Sequence, residues 1–147
     1  MKKQTVQAQV EAIITTAEKL IPMYLAKPED SSSEGNVAIC IIDEDGNVYG
    51  RLYGTDKIRT RRTYNLAWTK ASQVWITGMK TVEFERKVFN GELNDKDFGI
   101  LPPDFIGWLG GQPIVLKDGT RLSVGFSGFT GVSDLDIVVK AVNELEI

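Results

Sequence analysis

The sequence predicts an α+β fold, an antiparallel β-sheet covered by helices, in the order α-β-β-α-α-β-β-α. Two observations carry this reading. Apolar residues recur at three- and four-residue spacing at both ends of the chain and through its middle, the period of amphipathic helices. Between these stretches lie two pairs of strand-like runs, each joined by an Asp-Gly turn of the kind that closes a hairpin. A chain of 147 residues is the length of one domain and can bury a core without metals or disulfides, so 1–147 is read as a single domain.

The first helix runs from residue 4 to about 26, where Val6, Val10, Ile13, Ile14, Ala17 and Leu20 form one stripe and Pro22 is placed to kink it. The polar stretch Lys27–Gly35 reads as a mobile loop. Strands follow at 36–43 and 47–54, joined by Asp43-Glu44-Asp45-Gly46-Asn47. That acidic turn lacks the regular ligand spacing of a calcium loop and reads as solvated. From Ile58 to Thr77 the positions Tyr64, Ala67, Trp68, Ala71, Val74 and Trp75 share a face, which predicts a second helix with its aromatics in the core. A break at Gly78 leads to a shorter helix over 81–90, then to irregular chain through Pro102-Pro103.

Residues 105–109 and 113–117 are apolar, 120–127 alternates Leu122, Val124 and Phe126 with smaller or polar neighbours, and Lys117-Asp118-Gly119-Thr120 joins the last two as a hairpin. The closing helix, 132–145, shows Leu135, Val138, Val139, Val142 and Leu145 on one face, with Ser133 or Thr130 as N-cap and Asp134 and Asp136 complementing its dipole.

Composition narrows the chemistry. A net charge of −3 gives no electrostatic footprint for nucleic acid or an anionic membrane, and no window approaches membrane-spanning length. The start, Met1–Val6, runs into an amphipathic pattern rather than the apolar core of a signal peptide, so the expected location is the cytoplasm. Cys40 is the single cysteine and lies in the strand-like run Val37–Ile42, which favours packing over reactivity. The sequence has no histidine, which excludes serine triads, zinc HExxH sites and histidine-ligated haem within one chain. Any chemistry falls to carboxylates, lysine, tyrosine or the thiol. Asp134, Lys70 and Glu83 are the candidates, without motif-grade spacing.

Two glycine-rich turns are the candidate binding features. Ser127-Gly128-Phe129-Thr130-Gly131 leads into the last helix, where free N–H groups suit an anion and glycine allows close approach to the main chain. The same spacing also fits a tight strand-to-helix connection with an ordinary cap. Gly110-Gly111-Gln112-Pro113-Ile114 enters the strand that pairs with the one leading to that turn, so the sheet can bring both to one rim; paired glycines there also fit a bulge or bend. Lys57, Arg59, Arg61 and Arg62 crowd the start of the Tyr64 helix, where the macrodipole disfavours cations unless a carboxylate or anion is near.

In combination, Gly110-Gly111-x-Pro113-Ile114 and Ser127-Gly128-x-x-Gly131-x-x-Asp134 resemble the GlcG/HbpS-like haem-degrading domain family, to which the PduO carboxy-terminal domain is related. The likeness covers nearly the whole chain. It implies a profilin-like sheet with helices on both faces, assembly into homo-oligomers (dimers or higher), and a role in binding haem, a corrinoid or another small ligand. With no histidine, only Tyr24, Tyr49, Tyr53, Tyr64, a methionine or Cys40 can ligate haem iron.

Two readings follow. In one, the chain is a small-ligand-binding accessory protein without catalysis of its own, with a pocket formed by Gly110, Gly111, Pro113, Ser127, Gly128, Thr130, Gly131, Asp134, Tyr64 and Trp68. It takes an anionic metabolite, haem or another tetrapyrrole, or a corrinoid. In the other, it is a structural protein that forms a homo-oligomer or docks a metabolic enzyme, and the glycines serve only the fold.

Overall fold

The computed structural model describes residues 5–147; the expected helix start at residue 4 and the first four residues of the Met1–Val6 stretch lie outside the described residues. Helix α1 (Val6–Leu25) begins at Thr5, whose side chain accepts from the Ala8 N–H, and continues through Pro22 to Leu25. After a short helix α2 (Pro28–Ser31) come strands β1 (Ala38–Asp43) and β2 (Val48–Leu52), then helices α3 (Lys57–Thr77) and α4 (Thr81–Phe89), strands β3 (Gly111–Val115) and β4 (Arg121–Ser127), and helix α5 (Gly131–Leu145). The strands form one antiparallel sheet in the order β2-β1-β4-β3. This is the predicted order of elements, with helices on both faces.

Alternation along the strands sorts the two faces. Ile39, Ile41, Leu122, Val124 and Phe126 turn to α1 and α5, where they meet Val10, Ile13, Ala17, Ile137 and Val138 in the main core. The other face is lined by small residues. Gly50, Cys40, Gly125 and Gly111 stand side by side across the sheet, each paired with the next. Helix α3 lies in the trough they leave. A Cβ on Gly125 would overlap the Ala67 carbonyl and reach 2.7 Å from the Ala71 nitrogen, while one on Gly50 would come 2.5 Å from the Tyr64 hydroxyl.

The trough explains one departure from expectation. Ala67, Ala71 and Val74 are buried, but Trp68 and Trp75 flank the narrow contact and stay 43% and 49% exposed instead of entering the core. A helix this close to a sheet has room beneath it for alanines and not for indoles. Trp75 closes the far end by donating its Nε1–H to the Asp43 carbonyl at 3.1 Å.

Two other expectations are corrected. The polar stretch 27–35 is no mobile loop: it holds α2, and Asp30 and Ser33 are 1% exposed, because α5 needs the Asp30 carboxylate. The apolar run 105–109 is irregular chain pinned against α3 and α4. Phe105 packs on Phe84, with ring centroids 5.5 Å apart, and the buried Gln73 holds Ile106 by bonds to both its N–H and its carbonyl. The acidic turn is only partly solvated. Asp43 is 5% exposed and accepts from the N–H groups of Asp45 and Asn47, while Glu44 and Asp45 face outward.

Gly125→Ala tests the trough. Forcing a methyl against α3 backbone should lower the unfolding free energy by about 1–3 kcal/mol in urea denaturation. A change within ~0.5 kcal/mol, the range of ordinary surface substitutions, would show that α3 is free to lift.

Candidate functional site

The two glycine-rich turns do meet. The Phe126 N–H donates to the Gly110 carbonyl at 3.0 Å, and Gly131 packs on Leu109, where an added Cβ would lie 2.7 Å from the Leu109 Cβ. Gly110 and Gly128, both at φ +121, take a backbone conformation open to glycine. Neither glycine faces empty space. A Cβ on Gly110 would overlap the Phe126 carbonyl and sit 2.7 Å from Lys70 Nζ, and one on Gly111 would strike Thr81 and the Lys70 side chain.

What fills this rim is charge supplied by the chain. Asp30, from α2, accepts from the Thr130 N–H at 2.8 Å and from the Ser133 hydroxyl at 2.6 Å. Asp134 accepts from the Phe129 N–H at 3.0 Å. Lys70, on the opposite face of the sheet, donates to the Phe126 carbonyl at 2.9 Å and lies 3.4 Å from Asp134. Two carboxylates thus occupy the helix-start position that suits an anion. Thr130 is the N-cap residue, yet Asp30 rather than its own hydroxyl does the capping.

These side chains are almost entirely enclosed, Lys70 at 2% and Asp134 at 3% exposure. Burial pushes the Asp134 carboxyl up to about 7 against the pull of Lys70 and the Phe129 N–H, and burial draws Lys70 down against the pull of Asp134. The neighbouring Asp30 charge adds to the rise at Asp134.

The remaining predicted residues separate from this cluster. Ser127 is buried at the end of β4, and Pro113 is exposed on the edge strand β3. Tyr64 lies over Gly50 and donates to Cys40 Sγ at 3.7 Å, at the β1–β2 side of the sheet. Of the basic group, Arg59 donates to the Ser32 carbonyl at 2.6 Å and Asp56 caps the helix, so the dipole conflict is answered locally.

Trp68 belongs to open surface. It lines a groove of about 310 Å³ with Gln73, Ile100 and Asp104, against the outer side of α3. A second groove of about 320 Å³ adjoins it at Thr69 and is walled by Leu66, Phe105 and Trp108, with Glu85 and Gly107 at its side. Residues 127–134 line neither groove. Sequence reasoning missed Phe105, Trp108 and Glu85, because the run 105–109 reads only as apolar and nothing local ties it to α3 or α4. The available signal was Gly107, which interrupts that run, and the Gly110-Gly111 pair, which ends it.

No family model matches the sequence, and no curated protein does. The fold is shared with solved structures. A PduOC–haem complex is 18% identical, with 97% of this chain and 94% of that chain covered and a TM-score of 0.67. Klebsiella pneumoniae protein ORFY, of the DUF336 family model, is 19% identical, with 97% and 94% covered and a TM-score of 0.66. A double mutant of Streptomyces reticuli HbpS is 16% identical, with 99% and 89% covered and a TM-score of 0.60. These neighbours are the group whose motif pair the sequence resembles, and the likeness establishes a common fold.

Two predictions follow from the enclosed charges. Asp30→Ala removes the acceptor for Thr130 and Ser133 and should cost about 1–3 kcal/mol in chemical denaturation. Asp134 is protonated more readily folded than unfolded, so it favours folding below its ordinary value of 3.8, and that contribution is lost as pH rises through about 7. The stability difference between wild type and Asp134→Asn, measured by urea titration at several pH values, should therefore shrink from pH ~4 to ~7. A constant difference would refute the assignment.

Proposed function

We propose that the chain is a small-ligand-binding accessory protein without catalysis of its own, whose ligand lies in the paired grooves between α3 and the 99–108 segment. The observation that carries this is the exposed aromatic wall: Trp68 and Trp108 stand 43% and 66% exposed beside Phe105 in a concave surface. Flat or apolar molecules suit such walls. The groups with the most evident acid–base chemistry, Lys70 and Asp134, are held against each other away from solvent. In this reading the predicted site residues divide: Trp68 touches ligand, whereas Gly110, Gly111, Ser127, Gly128, Thr130, Gly131 and Asp134 fix the chain on which Trp108 is carried. Pro113 and Tyr64 have no part in the groove.

The PduOC–haem complex supports testing tetrapyrroles and corrinoids first. Iron coordination by Tyr24, Tyr53, Tyr64 or Cys40 is disfavoured. The hydroxyl of Tyr24 donates to Asp136 at 2.6 Å and that of Tyr53 to the Ile14 carbonyl at 2.7 Å, and burial raises both phenols. Burial likewise pushes Tyr64 to about 12 and the Cys40 thiol to about 11. A bound macrocycle would rest on stacking. An anionic metabolite is disfavoured because neither groove is lined by lysine or arginine.

The assembly reading has its own observation. Tyr53 N–H donates to Val37, and Asp43 N–H to Asn47, so by alternation the main-chain groups of Val48, Gly50 and Leu52 face away from β1 on an unpaired edge. Val48 and Leu52 are 48% and 47% exposed. A second copy pairing antiparallel about Gly50 would set Val48 opposite Leu52 on both sides, a self-complementary contact.

Haemin and cobalamin titrations followed by absorbance, beside a thermal-shift panel of flat neutral aromatics, test the first reading. A saturable shift that falls about tenfold in affinity in Trp108→Ala is expected; a flat response throughout would remove it. For assembly, sedimentation should show a dimer that Leu52→Lys dissociates, and a wild-type monomer at all concentrations would exclude this contact.

A further inference from the structure

We propose that the groove beside Phe105 and Trp108 selects a ligand bearing a protonated amine, with Glu85 as its counter-ion. This rests on the ligand-binding reading above and names the chemistry its ligand must carry. Among the described residues, the carboxylates withdrawn from the open surface are engaged: Asp30, Asp43, Asp95, Asp134, Asp136 and Glu83 each accept a hydrogen bond or an ion pair. Glu85 is the exception. It is half-buried on α4 and lines the groove, yet no hydrogen bond or ion pair reaches it. Its carboxylate oxygens stay open to the groove, so their acceptor positions are available to a cation that enters it.

The position of Glu85 is built into the fold. Its carboxylate rests against Gly107, where any Cβ would overlap it. Gly107 is set by its neighbours, with Ile106 gripped by Gln73 and the Trp108 carbonyl accepting from the Thr81 hydroxyl at 2.6 Å. On the other wall the Phe105 ring is held by Phe84 and by Phe89, which lies nearly parallel to it with centroids 6.2 Å apart. A carboxylate, a fixed phenyl and an exposed indole lining one groove are the combination that recognises an arylalkyl ammonium, by charge and by aromatic surface. The adjoining groove adds Asp104 and Trp68, and the linings of both lack any lysine or arginine. The charge complement is therefore cationic, and the apolar wall calls for a hydrocarbon or aryl body attached to the cation.

The probes are phenethylammonium, its neutral isostere 2-phenylethanol and the anionic 3-phenylpropionate, titrated by calorimetry at neutral pH. Wild type is expected to bind the amine about tenfold or more tightly than the alcohol, with the carboxylate weakest. Glu85→Gln should erase the preference for the amine and leave alcohol binding unchanged, and Gly107→Ala, which displaces the carboxylate, should weaken amine binding; circular dichroism verifies that both variants fold. Equal affinity for amine and alcohol in wild type, or a preference that survives Glu85→Gln, overturns the proposal while leaving a binding groove in place. Absence of binding by every probe, together with flat tetrapyrrole and aromatic titrations, overturns both the proposal and the reading beneath it.

Discussion

Lys70 reaches past the end of the sheet from the α3 layer to the α5 layer, and much of the molecule is arranged so that this reach can be satisfied. Its ammonium meets the Phe126 carbonyl and Asp134, while Asp30 closes the same helix start from the α2 side. One enclosed cluster thereby ties α2, α3, α5 and the last turn of β4. Such an arrangement is weak evidence for net stability, since desolvation offsets much of the attraction, but it is intolerant of losing one member, which strands the others without a counter-charge. Its effect is to fix geometry. Gly110 can pass beneath Lys70 and Asp134 only because it lacks a side chain, and that passage determines where Trp108 and Gly107 emerge.

The layer order was legible because burial on two faces writes two periods into the chain. Ile39, Ile41, Val124 and Phe126 alternate as a half-buried sheet requires, and Val10, Ile13, Ala17 and Val138 fall on helical stripes. The glycine motifs were legible as a pair, since Gly110 and Phe126 are hydrogen-bonded neighbours in the observed sheet. Their purpose was not. Spacing shows that a backbone approaches something closely, without showing whether that partner is a ligand or the chain's own Lys70. Asp30 lies 100 residues from Thr130, and nothing local in Lys27–Gly35 marks it as the cap of a distant helix.

The aromatic residues failed as sequence signals for a related reason. Helical spacing placed Trp68 and Trp75 with Ala67 and Ala71, but a periodic stripe carries no information on how wide the buried contact is. The small residues opposite, Gly50, Cys40, Gly125 and Gly111, draw α3 so close that the contact is only as wide as the alanines. What excludes the indole of Trp68 from the core is thus written in four positions on other strands.

Close packing on one side of α3 has a consequence on the other. With the alanines of its inner face set against the strand glycines, the helix presents Leu66, Trp68 and Thr69 outward, and the segment 99–108 is held against them by the two hydrogen bonds between Gln73 and Ile106. The neutral clamp of Gln73 and the charged clamp of Lys70 lie one turn apart on the same helix. The charged one is sealed by complementary carboxylates, whereas the neutral one supports a surface whose carboxylate, Glu85, is left without a donor. A fold that satisfies its deepest charges so completely and leaves a half-buried one unanswered at an aromatic groove concentrates its capacity for recognition there, away from the glycine turn.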